Sequence, residues 1–313
     1  MLSAWRGIAG LAAAISFAAI PVWAIPARPG MINYIEGKAL IGGQLVTSKD
    51  VGRAELDPNQ TIKTGLGKAE ILLTPGVFLR IGDHSELRMV SPGLTDTRVE
   101  LLSGEAQVEA TDVHKENHIQ VLDHGFTTTL LKNGLYAFKA DAPAVSVYDG
   151  KAEVQSGDNR VTLGKGKQVL LGVPLKAVSF DRNHQDELYH WSKLRDGYLA
   201  EASMGSARVY MVNPYGWYGS GWYWNPYFSM YSFVPGAGYL YSPFGYGFYS
   251  PFYPPETSTA TRQYVCLESG RRRLCSSPTA VAKAPASRAW ASACTPSPAP
   301  RCDRYTPAWA CPR

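Results

Sequence analysis

Asp83-His84-Ser85 is where the three residue types of a nucleophilic relay stand side by side. A relay needs the base within hydrogen-bonding reach of the nucleophile and an acid behind the base, whereas consecutive residues of a turn point in different directions. Gly82-Asp83 is a turn signal, so Asp83 and Ser85 are expected to cap backbone amides. The other cluster is His114, His118 and His124 with Asp112, Glu116 and Asp123. The His114 to His118 spacing converges on a helix, but this stretch reads as a polar loop entering a strand, and no metal site is assigned to it. A phosphate loop, a Gly-x-Ser-x-Gly elbow, a dinucleotide fingerprint and a reactive cysteine setting are all missing. The sequence therefore names no catalytic residue, no metal ligand and no cofactor, and the chain is not expected to be an enzyme.

Cysteine chemistry is confined to one end, at Cys266, Cys275, Cys294, Cys302 and Cys311. In an oxidising compartment these pair, with Cys266 and Cys275 as a candidate disulfide. An odd number leaves one thiol over, and connectivity does not follow from sequence. The spacings are too wide for the close pairs of a zinc site.

The most unusual chemistry is aromatic. Between Arg208 and Glu256 there is no Asp, Glu, Lys or Arg, yet nineteen residues are Tyr, Trp or Phe. Pro214, Pro226, Pro235, Pro243 and Pro251 break every run long enough to span a bilayer as a helix. Tyr and Trp join an apolar face to a polar tip and suit half-wet surfaces. Three states are consistent with this segment: a subdomain wrapped on the preceding domain, an interaction patch, or a self-associating low-complexity tract. As a patch, its partner-binding candidates are Trp217, Tyr218, Trp222, Tyr223, Trp224, Tyr227, Phe244, Tyr246, Phe248 and Tyr249. The partner would be an envelope protein, a polysaccharide or the membrane interface.

The elements that must position these rings begin at the N-terminus. Arg6 precedes a charge-free apolar run from Gly7 to Ile20, and Pro21-Val22-Trp23-Ala24 closes it. This is the layout of a signal peptide cleaved after Ala24, with an uncleaved anchor as the alternative. The protein is thus expected to be exported, to the periplasm or outer envelope. A net charge of +5 with scattered basic residues gives no case for nucleic acid, and Arg271 to Arg273 read as a solvated cluster.

Next, Gly37-Lys38-Ala39, Gly67-Lys68-Ala69, Gly104-Glu105-Ala106 and Gly150-Lys151-Ala152 each open an alternating stretch and read as turn then strand. Val77, Leu79 and Ile81 share a face, as do Val99 and Leu101, Ile119 and Val121, and Val145 and Val147. Asn133-Gly134 predicts a hairpin joining 127–132 to 135–139. The fold class is all-β, a compact β-sandwich or short β-roll, over 25–180.

Residues 61–73 (Thr-Ile-Lys-Thr-Gly-Leu-Gly-Lys-Ala-Glu-Ile-Leu-Leu) and 76–88, with the close Gly82-Asp83-His84-Ser85, resemble the signature of the FecR domain. Further matches follow at 101–108, 134–138 and 145–154. The resemblance implies a β domain. In well-understood members a cytoplasmic helical segment also holds a sigma factor while the periplasmic domain listens to an outer-membrane transporter. Only a few residues precede the apolar run here, so the sigma-binding half is expected to be absent and a binding or scaffolding role is favoured. The alternative is a sensor acting through a separate inner-membrane protein.

Leu188, Trp191, Leu194 and Tyr198 fall at three- and four-residue steps, which predicts an amphipathic helix over 183–201 within 181–208. Gly197 is expected to weaken its last turn. The aromatic segment occupies 209–255, and the Pro, Ala and Ser-rich remainder, 256–313, is expected to be disordered or a small disulfide-pinned knot.

Overall fold

The computed structural model describes residues 27–172 and 174–253, together with the backbone of three strands beyond them. The expected signal peptide, 1–24, lies outside the described residues. Two compact units divide the chain, 1–254 and 255–313.

Fifteen strands of the first unit form one sheet. They are β1 (Ile32–Ile41), β2 (Gln44–Val46), β3 (Thr61–Thr74), β4 (Val77–Ile81), β5 (Glu86–Pro92), β6 (Thr97–Ser103), β7 (Glu105–Ala110) and β8 (Ile119–Asp123). There follow β9 (Phe126–Leu130), β10 (Gly134–Lys139), β11 (Ala144–Asp149), β12 (Lys151–Ser156), β13 (Asn159–Gly164), β14 (Lys167–Leu170) and β15 (Val178–Ser179). The path runs β13-β12-β9-β8-β6-β5-β3-β4-β7-β10-β11-β14-β15, and β1 pairs with β2 and β3. Among the described residues only β6 and β8 pair in parallel, the crossover between them being made through β7. Near opposite ends of the path, β13 packs against β11 and β14, so the sheet curls round on itself.

The curl closes over one core, to which the alternating positions contribute as their period requires. Val77, Leu79, Ile81, Val99, Leu101, Ile119, Val121, Val145 and Val147 are all buried in it. The domain is all-β, as expected.

Two of the four glycine phrases are not turns. Gly37 and Gly67 lie inside β1 and β3, directly opposite each other, and both have positive φ. The register slips between Gly37 and Ala39, so this pair is a kink shared by two long strands. A Cβ on Gly67 would stand 2.2 Å from the Glu36 carbonyl oxygen at a φ of +150°. Gly67→Ala is therefore expected to cost about 2 kcal/mol or more, read as a lowered urea midpoint with an unchanged slope.

The Asn133-Gly134 hairpin does not form. β9 pairs with β8 and β12, whereas β10 pairs with β7 and β11. Asn133 instead anchors a crossover, its Oδ1 accepting from Val113 N at 2.7 Å and its Nδ2 donating to the Thr111 carbonyl at 2.6 Å. Gly134 passes so close to Asp149 that a Cβ would meet its carbonyl oxygen at 2.2 Å.

Helix α1 spans Glu187–Val212, starting four residues later and ending eleven later than the expected 183–201. Asp186 caps it, accepting from Tyr189 N at 2.9 Å. Gly197 does not end it, because the Tyr246 ring packs 3.3 Å from where a Cβ would stand. The close approach that needs glycine also braces the helix there. Two hairpins follow, β16 (Gly221–Asn225) with β17 (Met230–Val234), and β18 (Tyr239–Tyr241) with β19 (Gly247–Tyr249).

In the second unit β20 (Tyr264–Glu268) pairs with β21 (Arg271–Cys275) and β22 (Cys294–Pro296). Backbone register sets Cys266 opposite Arg273 and Cys294, and Cys275 opposite Tyr264. The side chains of the candidate disulfide, Cys266 and Cys275, lie outside the described residues.

Candidate functional site

The outward face of β3, β4 and β7 alternates correctly yet is not wet. Lys68, Glu70, Arg80, Gln107 and Glu109 all point away from the roll's core and are all buried. α1 and the aromatic hairpins cover them. Leu72 and Phe78 of this face join Leu199 and Ala202 of the helix and Tyr231, Phe233 and Phe248 of the hairpins in a second core.

Charges inside this layer are paired. Arg80, fully buried, donates from Nε to Glu70 at 2.9 Å and from Nη1 to Glu109 at 2.5 Å. From the helix, Arg195 donates to the other oxygen of Glu70 at 3.0 Å, its guanidinium 3.9 Å from the centre of the Tyr34 ring. Asn33 of β1 completes Glu70 at 2.9 Å and ties down the β17 backbone, donating to Tyr231 O at 3.0 Å and accepting from Tyr231 N at 2.8 Å. Burial pushes the Glu70 carboxyl up, but Arg195 and Arg80 outweigh it and hold the group below the usual carboxylate range.

Asp196 lies in the same layer. Burial, then the neighbouring Glu109 carboxylate, raise its carboxyl well above the usual range. Ser242, from the loop after β18, donates to its Oδ2.

Around this centre Lys68 bridges Asp83 at 3.1 Å and Glu187 at 2.6 Å. Trp191 Nε1 donates to Glu36 at 2.7 Å, and Asn225 Nδ2 to the Ala202 carbonyl at 3.0 Å. Lys68–Glu187 and Trp191–Glu36 tie the helix to the roll, Asn225–Ala202 ties the first hairpin to the helix, and the aromatic segment is thereby wrapped onto the domain.

The proposed partner-binding residues divide on this surface. Tyr223 and Phe248 are buried, and correction is needed for both: they hold the hairpins in place and are not presented outward. Trp222 and Trp224 are half-buried in the second core, with Trp224 seated on Gly52 and Trp222 edge-on to Phe78 at 4.8 Å. Trp217 stacks on Tyr223 at 5.1 Å, Phe244 meets Tyr189 edge-on at 5.2 Å, and Tyr249 is half-buried. Tyr246, 37% exposed, packs on Gly197. Tyr218 and Tyr227, each 88% exposed, do face outward. Reading the sequence missed Tyr215, Tyr239, Tyr241, Phe252 and Tyr253, which are exposed as well. Strand alternation could have found Tyr239 and Tyr241, which flank Leu240 and share a face.

The candidate chemistry resolves as follows. Asp83 accepts from Gly67 N at 2.5 Å, and Ser85 Oγ accepts from Glu105 N at 2.9 Å. Both act as backbone caps. His114 pairs with Asp112 at 3.3 Å and His124 with Asp123 at 2.5 Å, as two separate pairs. Among the described residues no group of three or more metal-ligating side chains gathers.

These elements define a β roll carrying a docked helix and aromatic hairpins. No family model matches the chain, nor does any curated protein. Two crystal structures of a candidate anti-sigma factor from Parabacteroides distasonis ATCC 8503 are similar over 39% of this chain, at 20% identity and a TM-score of 0.35. The match spans 61% of the length of those chains, and a likeness of that extent assigns neither fold nor role.

Proposed function

We propose that this chain is an exported cell-envelope binding or scaffolding protein, in which the roll holds a charge-free tyrosine face for a protein or polysaccharide partner. The observation that carries this is the exposure of aromatic rings on the hairpins and the loops beside them. Tyr215 is 91% exposed, Tyr218 and Tyr227 88%, Phe252 69%, and Tyr241 and Tyr253 61%. No ionisable Asp, Glu, Lys or Arg stands among them. Aromatic surface of this kind, uncovered and mounted on a fixed support, is characteristic of interfaces. Export rests on the N-terminal pattern. Among the described residues no helix is long and apolar enough to cross a membrane. A sensor role with a separate signalling protein is the second reading, favoured by the FecR-like phrase at 61–88.

Photo-crosslinking residues placed in cells at Tyr218, Tyr227 and Tyr241 are expected to trap the same adduct, and one at Arg160 on β13 to trap none. Equal labelling at all four positions would count against a specific face. Tyr218→Ser with Tyr227→Ser is expected to change stability by less than about 0.5 kcal/mol in urea titration, because both rings are almost wholly exposed, while abolishing the adduct from Tyr241.

A further inference from the structure

A second surface, apart from the aromatic face, is cut into the roll where β1 and β3 kink at Gly37 and Gly67. The kink lifts Leu66 out of the sheet, 80% exposed, beside Leu40 at 40% and Leu45 at 56%. With Lys38 and Lys63 these leucines line an open groove of about 600 Å³, within the size range of small-ligand sites.

Two features of the groove select its occupant. At its centre the backbone of β1 is paired on both edges, Leu40 standing opposite Leu45 on one side and Lys63 on the other, so the leucines there present side chains and not free amides. An extended peptide laid on this face would leave its own amides unmatched, whereas an alkyl chain has none to match. The rim is cationic. Lys63 is shared with Glu86 at 3.2 Å, and Lys38 has no carboxylate partner among the described residues. We infer that this groove binds a single-chain anionic amphiphile of the free fatty-acid type, its alkyl chain over Leu40, Leu45 and Leu66 and its headgroup at Lys38 and Lys63.

The test is calorimetric titration of the full exported chain with sodium laurate below its micellar concentration. Neutral dodecyl maltoside and vesicles of phosphatidylglycerol serve as comparison probes. Laurate is expected to bind saturably at one site. Leu66→Asp should weaken it about tenfold, since a charge replaces the chain's main apolar contact at a position too exposed to affect folding. Lys38→Gln with Lys63→Gln should weaken laurate about threefold and leave dodecyl maltoside unchanged. Three results would overturn the inference: no saturable laurate binding, laurate binding that both variants leave intact, or binding to vesicles without binding to free laurate. Unchanged thermal midpoints confirm that the variants are folded.

Discussion

Arg80→Met is expected to destabilise the first unit by about 3–5 kcal/mol, the cost of leaving buried carboxylates without their partner. Glu70 and Glu109 are both fully buried, and Arg80 is the cation they share. Arg195 still reaches Glu70, so the larger part of the loss falls on Glu109. The Met side chain has nearly the right volume, so cavity formation contributes little. Adding Glu109→Gln to Arg80→Met removes the orphaned carboxylate while Glu70 keeps Arg195, and is expected to recover most of the loss. Urea titration read by tryptophan fluorescence measures both, since Trp222 and Trp224 border the same layer. Equal losses in the single and double variants would mean that Arg80 acts through packing and not through charge.

Asp196→Asn is expected to stabilise the protein at neutral pH and to flatten its pH dependence. Because the folded-state carboxyl is raised above its unfolded value, the folded protein keeps a proton that the unfolded chain has released. The unfolded state therefore binds fewer protons, and stability falls as pH rises from about 4 through the raised value, by at most about 1.4 kcal/mol per pH unit for one proton. Asn carries its donors permanently: Nδ2 donates to Glu109 while Oδ1 accepts from Ser242. Glu70 titrates with the opposite sign. Its folded value is depressed, so its contribution is present above the ordinary carboxylate range and is lost as pH falls through the depressed value. The layer is consequently most stable in mildly acidic solution. Urea midpoints from pH 4 to pH 9 should decline in the wild type and stay nearly level in Asp196→Asn; parallel profiles would refute the raised Asp196 carboxyl.

The roll was legible because its strands alternate. Val77, Leu79 and Ile81, or Val145 and Val147, announce one buried face, and the structure buries them. What covers the other face is not written in that alternation, since Lys68, Glu70 and Glu109 look like solvent positions until Arg80, Arg195 and Asp196 are seen beside them. Those partners come from distant elements, Arg195 lying 125 positions beyond Glu70. The Asn133-Gly134 hairpin failed for a related reason: its turn chemistry is right, but Asn133 spends its side chain on Thr111 and Val113. In the aromatic hairpins the sequence 222–224 is Trp-Tyr-Trp, which has no polar alternation to tell which ring is inside. Only packing shows that Tyr223 is buried and that Tyr218 and Tyr227 are not. The extent of α1 was hidden by Gly197, whose low helix propensity is offset by the Tyr246 ring seated against it.

Native-state hydrogen exchange read by mass spectrometry tests most directly whether the aromatic hairpins are a fixed platform. Amides of β16, β17 and α1 are predicted to be protected with the same opening free energy as those of β3, β4 and β7, and Arg80→Met to lower all of them together. Exchange in 221–234 that is fast in the wild type, beside a protected roll, would show an undocked aromatic arm and contradict the account.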